Sequence, residues 1–190
     1  MKKLLLLCVP FMFSCVDINP GQKGVLFETF GDGLDKETIY AEGKHTIAPW
    51  DQMIVYDVKT QTLAYRVDGK DWNGVQVGIE MNILYNAIPD EIGFLHDEIG
   101  PNYLNKVMKP KIENIALTVI KEYAFDRIMS DKKDEVKDII EKMMKEELLS
   151  YHINIEEIKI SDIIISPAIK EAINRHLESE QLMLEQKYVK

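Results

Sequence analysis

The chain has 190 residues, a hydrophobic share of 46% and a formal net charge of −9. The length suits one domain, or one domain with an extension, and the apolar share is ordinary for a globular protein. The negative charge disfavours nucleic acid and direct binding to anionic headgroups, because both need clustered lysines and arginines and the sequence has no such run.

The first fifteen residues have the layout of a secretory signal peptide. Lys2 and Lys3 precede a short apolar run that ends at Ser14 and Cys15. Residues 12–15 resemble a bacterial lipobox, in which the cysteine is lipidated and becomes the new N-terminus. We therefore predict a signal peptide over residues 1–14, lipidation at Cys15 and a tether over residues 15–24. Loss of Lys2 and Lys3 takes the net charge to −11.

Two other interpretations of this segment stay open, namely an uncleaved signal anchor and a buried N-terminal element. A spanning helix needs about 20 apolar residues to cross about 30 Å of hydrocarbon. The apolar run over residues 4–13 has about half that length, and Pro20 and Gly21 stop any extension. Cys8 would leave with the leader, so the mature chain would keep Cys15 alone and form no internal disulfide.

The part of the chain after the tether begins with short strands separated by turns. Residues 75–83 alternate apolar and polar side chains, which predicts a strand with one buried face. The other β-rich segments are bounded by glycine-containing or polar turns at residues 31–33, 42–43 and 68–74. Those segments predict strands over residues 25–30, 53–58 and 61–67.

The second half of the chain changes to a helical period. We predict a short helix over residues 90–96, a helix from Pro110 and a helix capped by Ser130. The apolar face of the second is expected at Ile112, Ile115, Ala116, Val119, Ile120 and Tyr123. That of the third is expected at Val136, Ile139, Ile140, Met143, Met144 and Leu148.

The chain continues with a predicted strand over residues 153–165 and a C-terminal helix over residues 166–190. That helix turns strongly polar, so it is either an incomplete coiled-coil partner or a frayed end. Strands first, then helices with one intervening strand, predict an α+β fold. We expect a mostly antiparallel sheet with helices packed on one side.

Five segments of this sequence, taken in order, resemble the prohibitin/stomatin group, whose domain is called SPFH or band 7. The resemblance covers roughly residues 22–181 and depends on the order and spacing of the segments together. They lie at residues 22–27, 42–50, 55–61, 70–72 and 166–173.

The resemblance implies an SPFH domain over residues 25–165 at a membrane surface. It implies a non-enzymatic scaffold that self-assembles into rings or large oligomers and organises membrane proteins or lipids. Some bacterial members regulate a membrane-bound ATP-dependent protease, which makes a regulatory subunit the alternative. The family has no catalytic site to carry over, so we predict no catalytic, cofactor-binding or metal-binding residues. Cys15 would replace the usual membrane helix and hold the domain at the periplasmic face of the cell membrane.

The side chains that could carry chemistry do not form a pattern. The four histidines, His45, His96, His152 and His176, lack the spacing of metal ligands. Adjacent carboxylates such as Glu156 and Glu157 point apart on a strand or helix. An exported enzyme or ligand-binding domain, the third hypothesis, would need a convergent polar pocket that the sequence does not display.

Trp50, which follows Pro49, is the aromatic residue of most interest. A tryptophan at a strand turn either anchors the core or touches the headgroup layer of a membrane. We expect core packing for Trp50. Phe27 and Phe30 share the ambiguity, and Phe27 is expected to face the core because it alternates with Val25.

Overall fold

The computed structural model of the protein describes residues 14–72, 74–122 and 133–165, together with Glu171 and Arg175. Within those residues the strands form three sheets of antiparallel strands, joined by helices, and the predicted α+β class is confirmed. The described residues fall into two compact units. Most of the predicted signal peptide, Tyr123, Ser130 and nearly all of the predicted C-terminal helix lie outside the described residues.

The first unit contains the described residues up to Lys59 and the segment Asn86–Tyr103. Two of its strands form a ribbon, and three others form a sheet with β2 in the centre. One short helix, α1, contacts β2. The elements are β1 (Ser14–Ile18), β2 (Gln22–Glu28), β3 (Gly33–Leu34), β4 (Gly43–Ile47), β5 (Gln52–Asp57) and α1 (Ile92–Glu98).

A tight approach of backbone to backbone holds α1 in place. Its residue Gly93 is buried against the backbone of Lys36, and a Cβ built at Gly93 would clash with the Lys36 carbonyl oxygen. Ile92 and Leu95 are fully buried on either side of that glycine. Only a residue without a side chain therefore allows this packing.

The second unit contains Thr60–Tyr85 and the described residues from Leu104 onward. Its sheet has the order β6, β7, β8, while α2 packs against β6 and α3 packs against both β8 and α2. A π-helical turn, Leu104–Met108, leads directly into α2. The elements are β6 (Gln61–Lys70), β7 (Gln76–Ala87, whose last two residues belong to the first unit), α2 (Lys109–Glu122), α3 (Lys133–Leu149) and β8 (Ile153–Ile165).

The core of the second unit follows the predicted periods. Every second residue of β7 is buried, with Val77, Ile79, Met81 and Ile83 at 1% exposure or less. The predicted face of α2 is buried at all five of its described positions, Ile112, Ile115, Ala116, Val119 and Ile120. The sequence periodicity therefore predicts the packed faces of β7 and α2 correctly.

The prediction for α3 was too broad. Val136, Ile140, Met144 and Leu148 are fully buried, whereas Met143 is 36% exposed and Ile139 is only partly buried. Each of the two lies one residue before a buried position, which is about 100° further round the helix. They therefore lie at the edge of the buried stripe.

The predicted tether differs from the structure. Residues 14–18 form β1, which pairs antiparallel with β4, and β2 already begins at Gln22. The turn between β1 and β2 is closed by a 3.0 Å hydrogen bond from the Gln22 N–H to the Asn19 carbonyl oxygen. The polar composition of this segment suggested a linker because a two-stranded ribbon leaves many of its side chains in water.

Candidate functional site

Trp50 lies in the turn between β4 and β5, and 55% of it is exposed. The expectation that it packs in the core is therefore wrong. Phe30, in the turn after β2, is 81% exposed and meets Trp50 edge to face, with ring centroids 5.8 Å apart. Phe27 at the end of β2 is 40% exposed. We call Phe27, Phe30 and Trp50 the aromatic tip.

Phe27 is exposed although it alternates with the buried Val25. Val25 and Phe27 lie on one face of β2 because side chains two residues apart point the same way. Val25 is fully buried and Phe27 is not, so the packing that covers this face ends before Phe27. Alternation gives the face of a strand but not how far along the strand that face is covered.

The two turns that carry the tip are bonded to each other. The Thr29 N–H donates to Asp51 Oδ1 over 3.0 Å, and the Thr29 hydroxyl donates to the Trp50 carbonyl oxygen. The Asp51 N–H closes the second turn by donating to the Ala48 carbonyl oxygen over 3.0 Å. These bonds hold Phe30 and Trp50 on a fixed support, so the exposed rings are presented by structured turns.

The strand register brings the predicted lipidation site to the same end of the first unit. Ser14 pairs with Ile47 and Cys15 with Thr46, so β1 begins where β4 ends. The chain then passes through the Trp50 turn into β5, whose first residue, Gln52, pairs with Phe27. The Cys15 side chain is exposed. An acyl chain on Cys15 and the rings of the aromatic tip would therefore start from neighbouring points.

The tip is acidic. Glu28 and Asp32 lie on either side of Phe30 in sequence, and Asp51 follows Trp50. No lysine, arginine or histidine occurs over residues 24–35 or 46–58. The exposed aromatic surface is therefore bordered by negative charge alone within these two segments.

His96 is a packing residue of the first unit. Its Nδ1 forms a 2.7 Å hydrogen bond with the Tyr56 hydroxyl, and the two rings meet edge to face. Burial raises the pKa of Tyr56 to about 12, with a further contribution from Tyr103, so we assign the phenol as the donor. Burial lowers the pKa of His96, against the opposing effect of Asp97. A neutral His96 matches its role as acceptor.

Two further histidines, His45 and His152, have local structural roles. His45 Nε2 lies 2.7 Å from the Ala41 carbonyl oxygen, and His152 adopts a positive φ of 62° in the turn between α3 and β8. His176 lies outside the described residues. In the described part of the chain, no group of three or more His, Cys, Asp and Glu side chains is arranged to hold a metal ion.

Trp72 is an exposed aromatic residue in the 70–72 segment of the resemblance. It lies in the turn between β6 and β7 and is 69% exposed. The neighbouring Asp71 is 5% exposed, and its Oδ1 accepts the Val75 N–H over 2.8 Å. The Lys70-Asp71-Trp72 segment of the resemblance therefore supplies the carboxylate that closes this turn.

The antiparallel sheets and packed helices define an α+β domain, and comparison with known proteins gives the family. The model of the SPFH domain / Band 7 family matches residues 16–189. The chain belongs to this family, as the resemblance predicted.

Curated relatives agree with that assignment. Prohibitin-2 of Xenopus tropicalis is 21% identical over 171 residues, which is 88% of this chain and 56% of the relative. Prohibitin-1, mitochondrial, of Arabidopsis thaliana is 20% identical over 84% of this chain and 55% of its own length. Prohibitin 1 of Drosophila melanogaster is 25% identical over 62% of this chain and 42% of its own length. The chain thus spans about half the length of the curated relatives it matches.

The family is membrane-associated, and its prohibitin members form membrane-associated oligomers. Among the described helices, none combines the length and the apolar character that crossing a bilayer requires.

Proposed function

We propose that this protein is a lipid-anchored, non-enzymatic scaffold that self-assembles at the exported face of a bacterial membrane. The observation that carries the proposal is the register of β1 on β4, which puts Cys15 and the aromatic tip at one end of the first unit. Membership of the SPFH family supports the membrane location. The acyl chains on Cys15 hold the domain, and the aromatic tip sets how it faces the bilayer.

The two contacts with the membrane differ in kind. A single acyl chain gives marginal, reversible binding, so the several chains of a mature lipoprotein supply the stable anchor. Tryptophan favours the interface between headgroups and hydrocarbon, where an apolar ring and a polar edge are both accommodated. Phe30 and Trp50 at 81% and 55% exposure have the free surface that such a contact uses.

Self-assembly would strengthen the association further. Several tethered copies that contact one another act as one multivalent ligand for the membrane, so the complex leaves more slowly than a single copy. The resulting patch would organise the lipids and membrane proteins beneath and beside it. We expect no catalytic step in this role.

Analysis of membranes from cells that express the full chain tests the anchor. Mass spectrometry of the extracted protein should show cleavage before Cys15 and the mass of attached lipid. Cys15→Ser should release the protein into the aqueous fraction with its fold unchanged by circular dichroism. A Cys15→Ser protein that stays in the membrane fraction, and is released only when residues 2–14 are also deleted, would show that the apolar leader itself is the anchor.

A regulatory subunit of a membrane-bound ATP-dependent protease is the second candidate, because the resemblance includes bacterial members with that role. It shares the anchor and differs in its partner. Mild detergent extraction of the lipidated full chain separates the two. Complexes of this chain alone support the scaffold, and a protease present in fixed ratio supports the regulator.

A further inference from the structure

We propose, building on the function proposed above, that the aromatic tip selects a zwitterionic lipid surface and is repelled by an anionic one. The tip would then favour phosphatidylcholine-like or phosphatidylethanolamine-like headgroups over phosphatidylglycerol. The selection comes from the chain's own side chains at the contact, and it acts in addition to the acyl anchor.

The side chains around the tip set the charge that a membrane meets. Asp32 is exposed in the same turn as Phe30, and Glu28 is partly exposed at the end of β2. Asp51 is held beside Trp50 by the 3.0 Å hydrogen bond that its Oδ1 accepts from the Thr29 N–H. All three carboxylates therefore approach the headgroups whenever Phe30 and Trp50 do.

Three lysines of the first unit, Lys23, Lys36 and Lys44, lie further along their strands or are already paired. Lys44 lies three residues before Ile47 at the end of β4, and Lys23 lies four residues before Phe27 on β2. At about 3.3 Å per residue these separations are roughly 10 to 13 Å, about one Debye length. Lys36 Nζ forms an ion pair with Asp97 at 2.5 Å.

The charge also favours a lipid surface over a second copy of the chain as the occupant of the tip. Two tips in contact would bring six carboxylates together around a small apolar area, and like charges at an interface oppose association. A zwitterionic bilayer offers no such net charge. It accepts the rings at its interface, and the neighbouring Cys15 strand leads to the same surface.

The size of the effect follows from the surface potential. At about −30 mV, each carboxylate at the surface is disfavoured about threefold, because a charge gains about 2.3 kcal/mol per 100 mV. Glu28 and Asp32 together should then weaken binding about tenfold on an anionic surface. A protein that bound through basic residues would show the opposite trend.

The test uses the full chain with Cys15→Ser, so that no acyl chain attaches, and measures its partition onto large vesicles. One set of vesicles is phosphatidylcholine alone, and the other contains enough phosphatidylglycerol to set a potential of about −30 mV. Two variants are made in the same background. Phe30→Ser with Trp50→Ser removes the exposed rings, and Glu28→Gln with Asp32→Asn removes two charges while keeping shape.

Each outcome decides one step. We expect the ring variant to lose affinity for phosphatidylcholine vesicles, and equal binding would overturn the membrane role of the tip. We expect phosphatidylglycerol to weaken the parent about tenfold more than the charge variant. Equal sensitivity of parent and charge variant would overturn the lipid selection while leaving the proposed scaffold function intact. A ring variant that changes only the oligomeric state would assign the tip to contact between copies.

Discussion

The two units of this protein differ in where their large apolar side chains meet one another: in packed stripes in the second unit, where Trp72 is exposed in a separate turn, and in an exposed pair of rings in the first. In the second unit, β7, α2 and α3 bury theirs in regular stripes, and Ile79, Ile83 and Ile140 are fully excluded from water. The first unit buries Ile18 and Val25 as thoroughly, yet it exposes Phe30 and Trp50 at the joined ends of its strands. Packing of the core explains the buried stripes of the second unit. The exposed rings of Phe30 and Trp50 have no role in the core and point to a surface outside the chain.

Two neighbouring methionines of α3 should show the largest effect on stability. Met144 is fully buried and Met143 is 36% exposed, so the two positions compare burial at constant chemistry. Met144→Ala should cost about 2–5 kcal/mol of unfolding free energy, and Met143→Ala less than about 1 kcal/mol. Urea denaturation of the two variants gives both values. Equal costs would mean that the described face of α3 is wrong.

Gly93 provides the corresponding test in the first unit. Gly93→Ala places a methyl group against the Lys36 carbonyl oxygen, where backbone must move, and we expect a cost of about 1–3 kcal/mol. Phe94→Leu, at a neighbouring position that is 38% exposed, keeps most of the apolar side chain, should cost less than Gly93→Ala and serves as the control. Thermal unfolding followed by circular dichroism measures the difference, and a neutral Gly93→Ala would refute the close approach of α1.

The contact of His96 with Tyr56 predicts a pH dependence confined to the first unit. Burial lowers the pKa of folded His96 below its unfolded value of about 6.5. The unfolded state then binds more protons, so this contribution to stability is present above pH 6.5 and lost as pH falls toward the folded pKa. Asp97 opposes the shift, and the pKa of Tyr56 at about 12 keeps the phenol neutral throughout.

Tyr56→Phe isolates that contact. It removes the donor to His96 Nδ1 and should cost about 1 kcal/mol near neutral pH. The His96 signal, followed by NMR titration, should move toward its ordinary pKa if the hydrogen bond contributes to the shift. An unchanged unfolding free energy in Tyr56→Phe would show that the bond adds nothing.

Removal of the exposed rings should affect stability least. Phe30→Ser and Trp50→Ser should each lie within about 1 kcal/mol of the parent, because either substitution loses the edge-to-face contact and little else. Guanidinium denaturation checks both. A loss of several kcal/mol would show that the rings support the fold and would remove the contrast between the two units.

The sequence predicted the periodic elements well because one face of each is packed along most of its length. The alternation in β7 and the apolar stripe on α2 both predict which side of the element is buried in the core. The exposure of Trp50 and Phe27 was not predicted, because it depends on how far other residues pack over these strands, and tertiary packing decides that. The pairing of β1 with β4 was not predicted for a related reason, because β4 lies well after β1 in the sequence.

Turn chemistry gave mixed results. The Asp71 to Val75 turn was predicted from its glycine and polar residues, although β6 runs further than expected, to Lys70. The π-helical turn Leu104–Met108 lies outside the predicted helix, because the sequence predicts that α2 begins at Pro110. Proline has no N–H to donate, so a widened turn directly before it costs the helix little there. Local composition marks where such features occur but not their geometry.

The most direct test of the membrane-facing tip is the depth of Trp50 in a bilayer. The lipidated full chain with Trp72→Phe carries Trp50 as its single tryptophan. It should be reconstituted into zwitterionic vesicles with brominated acyl chains, beside matched vesicles without bromine. We predict a blue-shifted emission that bromine quenches and that an aqueous quencher reaches poorly. Emission typical of water and unaffected by bromine would contradict the account.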